Sequence, residues 1–219
     1  MIRNVVFDMD GVLFDTERIS SQSWAIAAQE VGIPELAEAI QDYFGLNATD
    51  SRALFTSTYG DRLSYDEWVR RTKDRSERYI DENGLPVKRG ARELLTYLGD
   101  AGIGVALATS TRREKAVDYL QRADLLAFFQ QIVTGDMVLH GKPAPDIYLM
   151  ACKRLGAHPA ETVAVEDSYN GLRAAAAAGM LPVMVPDMKP YVPELESVVY
   201  SVCDSLLDVM RLIEEVNRR

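Results

Sequence analysis

Ile2-Arg3-Asn4-Val5-Val6-Phe7-Asp8-Met9-Asp10-Gly11 is the stretch on which the fold turns. Ile2 to Phe7 is rich in β-branched and aromatic residues, which predicts a buried strand that ends abruptly in two acids and a glycine. Thr16 to Val31 then predicts a helix, closed by Gly32 and Pro34. From there to Asn83-Gly84 no strand is predicted. Residues 36–44, 50–59 and 65–81 all carry helical patterning, the last so charged that one face must be solvated. After Pro86 the pattern changes. Helices are predicted at 91–98, 112–121, 146–155, 169–178 and 205–216, and strands at 103–108, 131–133, 162–165 and 181–185. Strands alternating with helices over short connections predict an α/β fold: a Rossmann-like parallel sheet with helices on both faces. An all-helical cap domain, residues 15–83, is inserted into a core of 1–14 and 84–219. Pro182 and Pro186 bracket the 181–185 strand and place it at or near a sheet edge. The alanine run 174–178 reads as a helix built for close approach to a sheet.

The chain has 219 residues, with 24 Lys and Arg against 33 Asp and Glu and a formal net charge of −9. Its 47% apolar and 26% charged content is that of a globular protein. Such an acidic balance argues against nucleic acid as a partner, because phosphate backbones demand clustered Lys and Arg. It also raises a doubt about any anionic substrate. Cys152 and Cys203 match no metal or redox spacing and are expected as buried thiols. The apolar run before Asp8 is too short for a signal peptide, and no stretch is apolar enough to span a membrane. The Asn47-Ala48-Thr49 sequon is therefore read as chance, and a cytoplasmic protein, monomeric or weakly self-associating, is expected. Only His140 and His158 are present, without a Gly-x-Ser-x-Gly elbow. The chemistry must come from carboxylates.

Four polar clusters follow four predicted strands at their carboxyl ends, where open α/β sheets bind ligands. They are Asp8-Met9-Asp10-Gly11, Thr109-Ser110-Thr111, Gly141-Lys142-Pro143 and Glu166-Asp167-Ser168. One acidic pair at a strand end reads as a turn or helix cap; four clusters on one edge do not. Asp8, Glu166 and Asp167 would repel one another without a cation between them, and hard oxygen donors lacking His or Cys select Mg²⁺. Thr109 and Ser110 offer hydroxyls and amides at a helix start as an anion cradle, and Lys142 adds a point charge for phosphate. The combination points to magnesium-assisted phosphoryl transfer. Asp8 can act as nucleophile, while Asp10 protonates the leaving oxygen and later takes a proton from water. Gly11 allows the sharp turn that lets both acids reach one point.

These clusters resemble the four motifs of the haloacid dehalogenase superfamily. Asp8 to Thr16 is similar to the first motif and Thr109 or Ser110 to the second. Lys142 in Gly-Lys-Pro-Ala-Pro-Asp is similar to the third, and Glu166-Asp167-Ser168-x-x-Gly171 to the fourth. The resemblance runs from residue 2 to about 186, and a helical cap after the first motif is similar to the β-phosphoglucomutase-like and phosphoglycolate-phosphatase-like branch. It implies Mg²⁺ held by the side chains of Asp8 and Asp167 and the carbonyl of Asp10, with Glu166 supporting. It also implies hydrolysis of a small phosphate monoester. The second acid, Asp10, separates the chain from the dehalogenases, which lack it. A phosphomutase is the rival reading. The cap histidine of β-phosphoglucomutase corresponds to about Ser20 here and its phosphate-gripping arginine to Ala48, with Arg52 one turn on.

Glu17, Arg18, Trp24, Phe44 and Arg52 are candidates to select the substrate from the cap, Trp24 and Phe44 competing with a role in its core. A phospho-accepting signalling domain would share an Asp, a Thr or Ser and a Lys at strand ends. It would not place the Asp after the first strand, nor accept so long an insertion. Gly99, Gly102 and Gly104 precede their strand at the wrong spacing for dinucleotide binding.

Overall fold

A computed structural model describes residues 1–43 and 48–218. The chain divides into two compact units, residues 1–15 with 87–219 and residues 16–86. The larger unit is built on β1 (Asn4–Phe7), β2 (Gly104–Thr109), β3 (Gln131–Thr134), β4 (Thr162–Glu166), β5 (Leu181–Met184) and β6 (Ser201–Val202). All six are parallel, in the order β3-β2-β1-β4-β5-β6. β5, which contains Pro182 and is followed by Pro186, is thus one strand in from the edge, in keeping with the near-edge place its prolines suggest. The edge itself is β6, two residues long and beyond reach of any periodicity argument.

Both faces of this sheet are covered, so its strands read as continuous apolar runs. Val6, Ala106, Ala108, Val133 and Ala164 point to one face. They pack with α7 (Asp146–Leu155) and α8 (Tyr169–Ala177) through Ile147, Tyr148, Ala151, Cys152, Ala174 and Ala175. Side chains alternate along a strand, so the residues between them serve the other face. There α5 (Ala91–Asp100) lies on β2 and against α9 (Leu206–Arg218). Phe7 meets Phe129 edge to face, and Phe14 meets Tyr119 of α6 (Arg113–Arg122) in the same way. Cys152 and Cys203 are buried free thiols.

The first strand opens into a tight turn in which Leu13 N–H donates to Met9 and Gly11 N–H donates to Phe14. Phe14 bridges to Val87, and Lys88 N–H donates to Leu13, so the chain leaves this unit and returns to it at adjacent points.

The smaller unit is helical, with α1 (Thr16–Glu30), α2 (Leu36–Tyr43), α3 (Ala48–Tyr59) and α4 (Tyr65–Asn83). α1 packs on α2 and α4, and α3 on α4. Its core joins Ala27, Ala28, Ile33, Leu36, Phe55 and Trp68, with Trp24 packed against them. Trp24 stands edge to face on Trp68, and its indole N–H donates to the Leu36 carbonyl. Ser64 caps α4, its hydroxyl accepting from Glu67 N–H.

The alanine run has a packing cause on one side only. Ala174 and Ala175 are fully buried against the sheet, whereas Ala177 is exposed. Ala175→Leu is expected to overpack that contact and cost about 1–3 kcal/mol, while Ala177→Leu stays within about 0.5 kcal/mol. Urea unfolding of the two variants measures this, and equal effects would remove packing as the reason for the run.

Candidate active site

The parallel register brings the carboxyl ends of the central strands level. Phe7 pairs with Val165 on one side and with Leu107 on the other, so Asp8 lies beside Glu166 and near the end of β2. Asp8 N–H continues the ladder to the Val165 carbonyl at 2.9 Å. The carboxylates of Asp8, Glu166 and Asp167, all three buried, bring one oxygen each within 4.8 Å of one another.

Lys142 enters from the loop after β3, its side chain only 7% exposed. Its ammonium donates to Asp8 Oδ1 at 2.6 Å, to Glu166 Oε1 at 2.6 Å and to the Ala108 carbonyl at 3.1 Å. Burial alone would pull this lysine down, but Asp8 and Glu166 outweigh it and hold the ammonium above its usual range. Burial pushes the Asp8 carboxyl up, to about 8, against the pull of Lys142, with Glu166 and Asp10 adding to the rise.

Glu166 is wholly buried and held on both oxygens. Oε1 accepts from Lys142 and from the Tyr148 hydroxyl at 2.6 Å. Oε2 accepts from Ser168 N–H at 3.2 Å and from Ser168 Oγ at 2.9 Å. Ser168 in turn caps α8, accepting from Gly171 N–H at 3.1 Å. The glycine is dictated by this anion: a Cβ on Gly171 would lie 1.8 Å from Glu166 Oε1. A Cβ on Gly11 would likewise lie 2.3 Å from Asp167 Oδ2, and Gly11 has φ +77°.

Asp10 is partly exposed, and its Oδ2 accepts from the Thr111 hydroxyl at 2.8 Å. Thr109 is fully buried, and its hydroxyl accepts from Thr111 N–H at 3.1 Å; Ser110 is exposed. The expected anion cradle at the start of α6 is narrower than the sequence suggests. Arg113 N–H is taken by Asp136 Oδ1 at 3.2 Å, because Asp136, from the loop after β3, caps this helix.

Residues 8, 10, 109, 142, 166 and 167 therefore converge, as the four clusters suggest. The sequence pattern assigns no part to Thr111, Tyr148 or the Ala108 carbonyl. Thr111 was visible as the third hydroxyl of its run; Tyr148 carried no signal beyond a helical apolar position. In the helical unit, Trp24 belongs to the aromatic core. Arg52 donates to Asp66 through its two terminal guanidinium nitrogens, at 2.6 and 2.9 Å, and its guanidinium carbon lies 4.7 Å from the Tyr65 ring centre. Glu17 is partly exposed and Arg18 exposed, and Phe44 lies outside the described residues. No helix among the described residues is long and apolar enough to cross a membrane.

A buried acid trio at the carboxyl edge of a parallel sheet, two of its members bridged by one lysine, is an arrangement suited to phosphoryl transfer. The haloacid dehalogenase-like hydrolase family matches residues 2–179, and the chain belongs to that family. It is 34% identical over 176 residues to a phosphorylated carbohydrates phosphatase of Thermotoga maritima, covering 80% of this chain and 81% of the relative. A probable pseudouridine-5'-phosphatase of Drosophila melanogaster is 33% identical over 192 residues, covering 85% of this chain and 82% of the relative. The crystal structure of a β-phosphoglucomutase from Clostridium difficile superposes with a TM-score of 0.72 at 26% identity, over 100% of this chain and 98% of that one. The protein is a hydrolase of this family.

The Asp8 carboxyl, raised from 3.8 to about 8, keeps a proton in the folded chain that the unfolded chain has released. The stability this gives is complete below pH about 4 and is lost as the pH rises towards 8. Metal-free protein is thus expected to become less stable to urea between about pH 5 and pH 8, and Asp8→Asn to flatten that slope. A slope unchanged by the substitution would show that other groups produce it.

Proposed function

We propose that the protein hydrolyses a small phosphate monoester, such as a sugar phosphate, through a phosphorylated Asp8. The observation that carries this reading is the pairing of two unlike acids. Asp8 is buried against Lys142, and Asp10, two residues on, is held by a hydroxyl. The Asp8 carboxylate attacks phosphorus, forming an O–P bond as the ester P–O bond breaks, and Asp10 protonates the departing alkoxide. Asp10 then takes a proton from a water that attacks the acyl phosphate, and Asp8 departs as carboxylate, releasing inorganic phosphate. Lys142 orients Asp8 and, with the Thr109 hydroxyl and Ser110, receives the phosphate oxygens. The donor set, carboxylates without His or Cys, fits Mg²⁺. Asp8 and Asp167 side chains and the Asp10 carbonyl would hold it, Glu166 supporting from its own hydrogen bonds. Bound there, Mg²⁺ would supply positive charge to the phosphate oxygens. The helical insertion, assigned to residues 15–83, is the element to which substrate choice falls.

The relatives named for phosphorylated carbohydrate and pseudouridine 5'-phosphate hydrolysis support this reading. The structural likeness to a β-phosphoglucomutase keeps a phosphomutase as the second reading. A panel of phosphate monoesters with and without Mg²⁺ separates them. Inorganic phosphate release supports the phosphatase, and conversion of glucose 1-phosphate to the 6-phosphate with a bisphosphate primer supports the mutase.

Asp8→Asn is expected to abolish Mg²⁺-dependent hydrolysis of an aryl phosphate with the fold intact by circular dichroism. Substantial residual turnover would remove Asp8 as nucleophile. Asp10→Asn is expected to slow an alkyl phosphate at least about tenfold more than an aryl phosphate, whose leaving group needs no proton. Equal losses would remove its role as acid.

A further inference from the structure

Tyr148 joins the site's hydrogen-bond network from inside an apolar cluster. Its side chain is fully buried among Ile147, Ala151, Cys152 and the alanines of α8. Phenylalanine would fill the same volume, so packing does not explain the hydroxyl. A buried hydroxyl needs a partner, and this one finds an anion: Tyr148 Oη donates to Glu166 Oε1 at 2.6 Å. The same oxygen accepts from Lys142, whose Nζ lies 5.1 Å from the centre of the Tyr148 ring. Burial, reinforced by Glu166, pushes the phenol well above its usual range, so it remains a donor at any working pH.

We propose that Tyr148 is a positioning residue. Its hydroxyl fixes the Glu166 carboxylate, and through it sets Lys142 between Glu166 and Asp8 and readies the acid trio for a cation. A neutral donor suits this task. It satisfies a lone pair of Glu166 without adding a positive charge that would compete with a bound cation, as a second lysine would. Ser168 does the same on Oε2, so the two hydroxyls clamp the carboxylate from opposite oxygens. Partners that hydrogen-bond to carboxylates at metal sites act in this way, and losing one lowers metal affinity or activity about tenfold or more.

This inference rests on the phosphatase reading for its catalytic arm and on the acid trio alone for its binding arm. The test is Tyr148→Phe, which removes one oxygen and keeps the ring over Lys142. Two measurements are made: steady-state hydrolysis of an aryl phosphate with Mg²⁺, and equilibrium binding of Mn²⁺ without substrate, followed by electron paramagnetic resonance. The expected result is a kcat about tenfold lower at a KM within about twofold of wild type, with Mn²⁺ bound several-fold more weakly. A role confined to stability would lower the melting temperature and leave kcat and Mn²⁺ affinity within about twofold of wild type; that result overturns the proposal. Should the wild-type protein hydrolyse no monoester, the phosphatase reading falls. Mn²⁺ binding then decides on Tyr148 by itself.

Discussion

The structure depends on holding three buried carboxylates together. Were all three ionised at separations within 4.8 Å, each like-charged pair would cost on the order of 3 kcal/mol at an effective dielectric of 20. Burial, with this crowding, is what raises the Asp8 carboxyl. One ammonium, Lys142, sits where it touches two of the three. Hydroxyls and an amide complete the hold on Glu166. The register of β1 against β4 creates the crowding, since parallel strands in step must release Asp8 and Glu166 side by side. A divalent cation is the group that would relieve what Lys142 leaves unbalanced, and oxygen-only donors are what such a cation takes.

The same crowding explains residues whose types look arbitrary in isolation. Gly171 exists because Glu166 lies where a Cβ would go, and Gly11 because Asp167 does. The net charge of −9 reads differently in this light. Four of the acids, Asp8, Asp10, Glu166 and Asp167, lie at this sheet edge, where Lys142 offsets them and a bound cation would invert the local field. Global acidity therefore argues against long polyanions and says little about a small phosphorylated substrate.

Legibility in the sequence depended on how many residues each feature needed. The strands and their order of polar ends were readable because each strand end carries a cluster of unlike residues, and four clusters in sequence admit few arrangements. The helical insertion was readable as well, because about 70 residues without a strand pattern stand out against the alternating strands and helices beyond Pro86. A two-residue strand such as β6 has no period to detect. Tyr148 and the Asp136 cap of α6 depend on tertiary neighbours distant in sequence. A tyrosine at an apolar helix position looks the same whether or not an anion lies against its hydroxyl. Arg52 shows the complementary limit: a basic residue in a helix advertises a charge, and only the fold shows Asp66 beside it.

The two aspartates of the first turn face unlike demands. Under the proposed reaction Asp8 must attack and depart as an anion, whereas Asp10 must hold a proton in one half-reaction and lack it in the other. Their partners match those tasks. A lysine, which only donates, favours the ionised form of Asp8, and burial works against it. A threonine hydroxyl can donate to an ionised Asp10 or accept from a protonated one, so Thr111 serves both states without moving. Two carboxylates two residues apart thereby take unlike roles through their surroundings alone, which is how one short turn can supply both nucleophile and acid–base.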